Sequence, residues 1–319
     1  MLASARRSGR AVVVTSGPRV ILDCDPGIDD AFAIFCAVRF CNLVAVTSVS
    51  GNVPITHTTT NALHVLELAE ASVPVFRGAA APLVVEPFFA DRIHGEAGLG
   101  AGATPPPQAD AEPEPAASAI CRLAAEGPLV IVAIGPLTNI AEAVQLDPEL
   151  ASRVDHLYWM GGSTTVGNVT EHAEFNAWAD PHSIEVVMAS GTPITMFGLN
   201  LTHQVRLQGT HVDRLRTAAT QTSTPAAEFL AFYESHGSRD GRGQPMHDPC
   251  AVLGFTHPEL FETEPGNTLV HLSGDTRGMT EMTDSPHAGT HRITVATKAA
   301  ADDVIELIMT AVIDPQARS

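Results

Sequence analysis

The stretch "VILDCDPGIDDAFAIFCAV", Val20–Val38, decides how this chain is read. Val20–Cys24 reads as an apolar β-branched run, Pro26-Gly27 as a turn, and Asp29–Val38 continues with helical period. Within eight residues stand Asp23, Asp25, Asp29 and Asp30, flanked on both sides by apolar segments. Acidic side chains are favoured at a helix start, and any one of them is explained as a cap. The four together are not, because like charges so close raise each other's pKa unless a cation sits among them. Oxygen ligands of this kind suit a hard ion, Ca²⁺ or Mg²⁺.

Working outward, apolar β-branched runs recur at Leu43–Val49, Leu129–Ile134, Leu157–Met160, Ile194–Phe197, Thr268–Leu272 and Ile293–Ala296. Segments of helical period lie between several of them, at Thr56–Leu68, Leu137–Val144, Pro181–Met188 and Asp302–Val312. Strand–helix alternation predicts an α/β fold: an open, mostly parallel, Rossmann-like sheet with helices on both faces. Residues 200–262 read as a helical insertion with little strand signal. The Pro/Ala-rich stretch Gly102–Ser118 reads as a surface loop. Residues 1–18 read as a flexible extension and 19–319 as one domain.

The chain has 319 residues, 45% hydrophobic and 17% charged, enough for a sizeable core. A net charge of −18 argues against nucleic acid or an anionic membrane as partner. No apolar run approaches the length of a membrane span. The five cysteines form no C-x-x-C pair, and their number is odd, so neither a disulfide framework nor a zinc knuckle is indicated. A reducing cytoplasm is the expected location.

Ligands of open parallel sheets bind outside the carboxyl ends of the strands. Here those ends carry Asp25, "SVSGN" with Asn52, "VAIGPLTN" with Gly135-Pro136, and "YWMGGS" with Met160. Far along the chain, "PMHDPCAV" places His247 and Asp248 at another helix start, from which the carboxylate can complete a metal shell.

Taken as a set, these motifs resemble the inosine–uridine-preferring nucleoside hydrolases. "DCDPGIDDA" is similar to the N-terminal fingerprint of that family. The resemblance continues through "SVSGN", "RIHGEAGLG", "VAIGPLTNIA", "MGG", "EFNAWADP" and "HDPCAV", over roughly residues 19–313. It implies a Ca²⁺ held by the side chains of Asp25, Asp30 and Asp248 and by the carbonyl of Ile134. It implies that Asp29, Asn52, Asn168, Glu174 and Asn176 bind the ribose, that Met160 packs under the sugar, and that His94 and His247 lie near the base. Relatives of this kind are usually homodimers or homotetramers.

The expected reaction is Ca²⁺-dependent hydrolysis of the N-glycosidic bond of a ribonucleoside, giving ribose and a free purine or pyrimidine. These residue types suit it on chemical grounds. The bond breaks through an oxocarbenium-like sugar. Asp25 can take the proton of a water oriented by the ion, buried carboxylates and amides can stabilise the sugar cation, and His247 can help the leaving base. Phe229, Phe232, Tyr233, His236, Arg239 and Arg242 are candidates for a base pocket, although an ordinary amphipathic helix needs the same aromatic spacing. Two other readings compete. "ILDCDPG" also fits a haloacid-dehalogenase-like phosphohydrolase, which needs a lysine before a downstream acidic pair; the one lysine is Lys298, too close to Asp302-Asp303. A non-catalytic nucleoside- or ribose-binding protein is the other. "GLGAGA", Gly98–Ala103, follows no strand and does not read as a dinucleotide fingerprint.

Overall fold

A computed structural model describes residues 17–101, 106–237 and 240–316. Most of the extension expected at 1–18 therefore lies outside the described residues. The strands are β1 (Arg19–Cys24), β2 (Asn42–Ser48), β3 (Val75–Arg77), β4 (Leu129–Ala133), β5 (Val154–Met160), β6 (Ile194–Phe197), β7 (Arg206–Leu207), β8 (Gln244–Pro245), β9 (Phe261–Val270), β10 (Thr280–Thr283) and β11 (His291–Ala299). Nine of them form one sheet in the order β10-β9-β11-β6-β5-β4-β1-β2-β3, and β7 pairs with β8 apart from it. From β3 to β11 every pairing is parallel; β11–β9 and β9–β10 are antiparallel. The mostly parallel α/β sheet expected from the sequence is the one observed.

Side chains alternate along β1. Val20, Leu22 and Cys24 join the core on one face, and Ile21 joins the core on the other. Helices Ile28–Phe40, Ile55–Leu68, His247–Thr256 and Ala301–Ile313 cover the first face; Ala116–Ala125, Thr138–Leu146 and Pro181–Ala189 cover the second. Helix Ile28–Phe40 is buried from Ile28 to Val38, which explains an apolar run with no polar stripe. Its first turn carries Asp29 and Asp30, so these carboxylates have no route to bulk solvent along their own helix.

Three details differ from the sequence reading. The run at Thr268–Leu272 is the end of the longer strand β9, whose first half is polar and contains Pro265. That half has β11 on one side only, since β10 pairs just with Asn267–Val270, and a sheet margin tolerates proline. The strands β3 and β10 are three and four residues long, too short to show a period. Within 200–262, helix His247–Thr256 is not peripheral, because it packs into the core shared with Ile28–Phe40.

The chain runs from β1 to β2 and β3 on one side, then crosses back to β4, β5 and β6 on the other. β1 and β4 are thus the point where the winding direction reverses, and the crevice at their carboxyl ends is the expected ligand position.

Candidate active site

At that crevice the chain turns through Asp25, immediately after β1. The Asp25 side chain is buried, and its Oδ2 accepts the Asn52 backbone N–H at 2.7 Å. Among the described residues no group hydrogen-bonds its Oδ1. Glycines frame it: a Cβ at Gly51 would stand 2.0 Å from Asp25 Oδ2, and one at Gly135 would stand 2.7 Å from Oδ1. This close approach explains why "SGN" and "IGP" lie at the ends of β2 and β4.

Asp30 is held more fully. Its Oδ1 accepts the Asp25 N–H at 3.1 Å, and its Oδ2 accepts the Gly27 N–H at 2.9 Å and Asn52 Nδ2 at 3.1 Å. Oxygens of Asp29, Asp30 and Asp248 lie within 4.8 Å of one another, and all three residues are buried. The structure therefore groups Asp29 with Asp30 and Asp248, while Asp25 lies beside them with one oxygen unpartnered. Burial first, and then the neighbouring carboxylates, push Asp25, Asp29 and Asp248 above the usual carboxylate range. Burial also raises Asp30, against the opposing pull of the Gly27 N–H. No lysine or arginine among the described ion pairs reaches these aspartates. An all-oxygen donor set with an orphaned, buried carboxylate oxygen fits a hard divalent cation.

Above the carboxylates opens a cavity of about 840 Å³. It is lined by Asp29, Asn52, His94, Ile134, Met160, Asn168, Glu174, Asn176, His247 and Asp248, so the residues picked from the sequence converge on one space. Asp25 and Asp30 are not among the lining residues and are almost without exposure; both bond to Asn52, which is among them. Glu174 caps the short helix Phe175–Ala179: Oε1 accepts the Asn176 N–H at 2.9 Å, and Oε2 accepts those of Ala177 and Gly162 at 3.0 and 2.8 Å. Burial outweighs these donors and raises Glu174 to about 7. Asn176 Nδ2 donates to the carbonyls of Ile134 and Met160 at 2.9 and 3.1 Å, tying the ends of β4 and β5 together.

Two histidines face the same space. His94 Nδ1 accepts the Ile28 N–H at 3.0 Å, and burial lowers the ring to about 4. His247 Nδ1 lies 2.7 Å from Thr202 Oγ1. Burial, with His203, Arg206 and His94 around it, lowers His247 to about 3. Near neutral pH both rings are uncharged, and they serve as hydrogen-bonding groups.

Of the proposed base-pocket residues, Tyr233 lines the cavity, with its ring 5.8 Å from that of His94. Phe229 belongs to the core, and Phe232 stacks on His236 with centroids 3.9 Å apart. Arg242 pairs with Asp240 at 2.7 Å, and Arg239 lies outside the described residues. Sequence reasoning missed Phe88, Phe89, Ile93 and His203 in the lining. Their segments carry no period, and only the pair Phe88-Phe89 just before "RIHG" hints at them. Lys298, required by the phosphohydrolase reading, is exposed and paired with Glu262 at 2.7 Å, which leaves that reading without its lysine.

Fold and site together define an enzyme that works on a small polar molecule at the carboxyl edge of a parallel sheet. The model of the family described as inosine-uridine preferring nucleoside hydrolase matches residues 20–306. The chain is 39% identical over 254 residues to the pyrimidine-specific ribonucleoside hydrolase RihA of Shewanella baltica (strain OS185), covering 77% of this chain and 80% of that protein. It is 38% identical over 270 residues to the RihA of Enterobacter sp. (strain 638), covering 82% and 86%. Among solved structures it resembles a plant nucleoside hydrolase, PpNRh1, with TM-score 0.87 at 30% identity, covering 93% of this chain and 99% of that one. It also resembles a purine-preferring ribonucleoside hydrolase from Gardnerella vaginalis, with TM-score 0.86 at 31% identity and the same coverage. This chain belongs to the inosine-uridine preferring nucleoside hydrolase family. It is an enzyme, a hydrolase acting on N-glycosyl bonds.

Proposed function

We propose that the chain hydrolyses ribonucleosides to ribose and free base, with Ca²⁺ in the aspartate cluster. The observation that carries this reading is the convergence of Asp29, Asp248, Asn52, Glu174, Asn176, His94 and His247 on one cavity above Asp25 and Asp30. Asp25, Asp30, Asp248 and the Ile134 carbonyl would hold the ion, with Asp29 in reach of the same cluster. When bound, such a cation supplies Lewis acidity and a fixed positive charge at the sugar.

The residues of the chain do the rest. Asp25 takes a proton from the attacking water through the oxygen that has no protein partner. As the C1′–N bond breaks, its electron pair leaves with the base and positive charge grows on the sugar. Asp29, Asn52, Asn168, Glu174 and Asn176 hold the ribose, and their oxygens face that charge in a site poor in water. Met160 packs beneath the sugar. His94 and His247 stand near the base, where the N–H of the neutral His247 ring offers a hydrogen bond to the departing nitrogen heterocycle. We further propose that residues from 19 onward act as one catalytic domain, cytoplasmic and assembled as a homodimer or homotetramer. Among the described residues no helix is long and apolar enough to cross a membrane.

The sequence relatives are named for pyrimidines and one structural neighbour for purines. The test is therefore a panel: ribose release by purified protein from inosine, adenosine, guanosine, uridine and cytidine. Cleavage of at least one, with the matching 2′-deoxynucleoside much slower, is the expected result. No release of ribose from any of the five would sink the reading.

A further inference from the structure

His247 owes its orientation to a contact that no sequence motif singles out. We infer that the Thr202 hydroxyl is a positioning group that fixes the tautomer of His247, keeping Nδ1 bare and the single ring proton on Nε2, toward the cavity. The inference rests on the proposed role of His247 beside the leaving base, and deepens it.

Thr202 ends the short helix Leu199–Thr202 that follows β6, and it is fully buried. Its Oγ1 lies 2.7 Å from His247 Nδ1, and among the described residues that nitrogen is its hydrogen-bond partner. A buried hydroxyl that does not donate is left with an unmade bond, which is more costly than an acceptor left half used. The Thr202 O–H therefore points at Nδ1, and Nδ1 must be the acceptor. A neutral imidazole carries one proton, so that proton is on Nε2. The ring borders the cavity, and with Nδ1 turned to Thr202 it is Nε2 that can meet a ligand.

His94 supplies an internal comparison. Its Nδ1 accepts a backbone N–H, which cannot reverse its role, so its proton is on Nε2 without ambiguity. Thr202 does for His247 with a side chain what Ile28 does for His94 with the backbone. Both neutral rings then present N–H donors near the base. A donor suits a departing base that gathers negative charge, and a bare nitrogen in that place would repel it. The other tautomer would leave the Thr202 proton unpaired and turn a lone pair to the base.

Two measurements test this. In the wild-type protein, ¹⁵N NMR of the imidazole nitrogens, with His247 assigned by its absence in His247→Gln, should show Nδ1 unprotonated and Nε2 protonated. In the second, nucleoside cleavage is compared with cleavage of p-nitrophenyl riboside, whose leaving group needs no donor. Thr202→Val removes the hydroxyl at constant shape and should lower the ratio of the two kcat values about tenfold, the worth of one hydrogen bond. Thr202→Ser should restore it. A protonated Nδ1 in the wild type, or an unchanged ratio in Thr202→Val, overturns the inference. If Thr202→Val does not fold, the wild-type spectrum alone decides. If His247→Gln leaves the ratio unchanged, the role of His247 at the base is wrong, whereas the spectrum still reads the tautomer separately.

Discussion

The floor and the roof of the cavity are built in opposite ways. The floor hangs on the sheet: Asp25 follows β1, Asn52 follows β2, the Ile134 carbonyl follows β4 and Met160 ends β5. Asn52 and Asn176 then tie neighbouring strand ends to one another. The roof comes from separate pieces: the segment Phe88–His94, the residues Asn168 and Val169, Tyr233 on helix Ser223–His236, and His203. Phe88 is half exposed and rests edge-on against Trp178, with centroids 4.9 Å apart. A floor fixed by parallel strands can hold charge in place while a sugar cation forms. A roof on loops and an inserted helix can vary with the base without moving that charge. His247 joins the two, since its helix packs in the core and its ring borders the cavity.

Damage to the floor should have the largest effect. Asp25→Ala should lower cleavage of both nucleosides and p-nitrophenyl riboside by about 10⁴-fold each, because the proposed base and a proposed cation ligand go together. Steady-state kinetics on both substrates check it, with metal analysis showing loss of bound calcium. A substantial rate on either substrate would remove Asp25 from its role.

His247→Ala should separate roof from floor. Nucleoside cleavage is expected to fall by roughly 10²–10⁴-fold, with p-nitrophenyl riboside hydrolysis nearly intact. An equal loss on both substrates would mean that His247 supports Asp248 and the ion. Asn176→Ala and Glu174→Ala are expected to lower kcat about 10²-fold, more than they raise KM, if the proposed ribose contacts strengthen as charge develops. An effect confined to KM would make them ground-state contacts only.

Removing the ion should show in stability. The raised carboxylates Asp25, Asp29, Asp30 and Asp248 are protonated in the folded, cation-free protein at pH values where the unfolded chain has ionised. Their contribution is full below the ordinary carboxylate pKa and is lost as pH rises through the raised values. His94 and His247 act in the other sense: their contribution is present above the ordinary imidazole pKa of 6.5 and is lost as pH falls through about 4 and about 3. Cation-free protein should therefore lose stability progressively as pH rises above the ordinary carboxylate range, through about 6 for Asp30 and about 8 for Asp29. Calcium at a hundred times its Kd should restore about 2.7 kcal/mol, a shift of several degrees in Tm. Thermal unfolding with and without chelator, from pH 5 to pH 9, would show it, and parallel curves would contradict a cation in the cluster.

The smallest effect is expected in the roof. Phe88→Ala removes one aromatic contact, about 0.5–1.5 kcal/mol, and should raise KM for nucleosides up to roughly tenfold with kcat little changed. A large loss of kcat would show that the roof also positions the reacting atoms.

The alternation of elements and the mostly parallel sheet were legible in the sequence, as were the turns at the strand ends beneath the cavity. Strand ends in parallel sheets are marked by turn residues, and Asp25, Asn52, Gly135 and Met160 sit beside such marks. Tertiary structure decided the rest. It brought Asp248 from more than two hundred residues away to within 4.8 Å of Asp29 and Asp30, a long-range packing event that only the helix-start "HDP" foreshadowed. It decided that Tyr233, packed in the same core as Phe229, also lines the cavity while Phe229 does not, because both fit the same helical spacing and only the neighbours of the helix choose between them. It placed Phe88, Phe89 and His203 in the lining, from segments with no period to read. It also set Thr202 against His247, a contact between residues 45 apart that depends on where two helices end against the sheet.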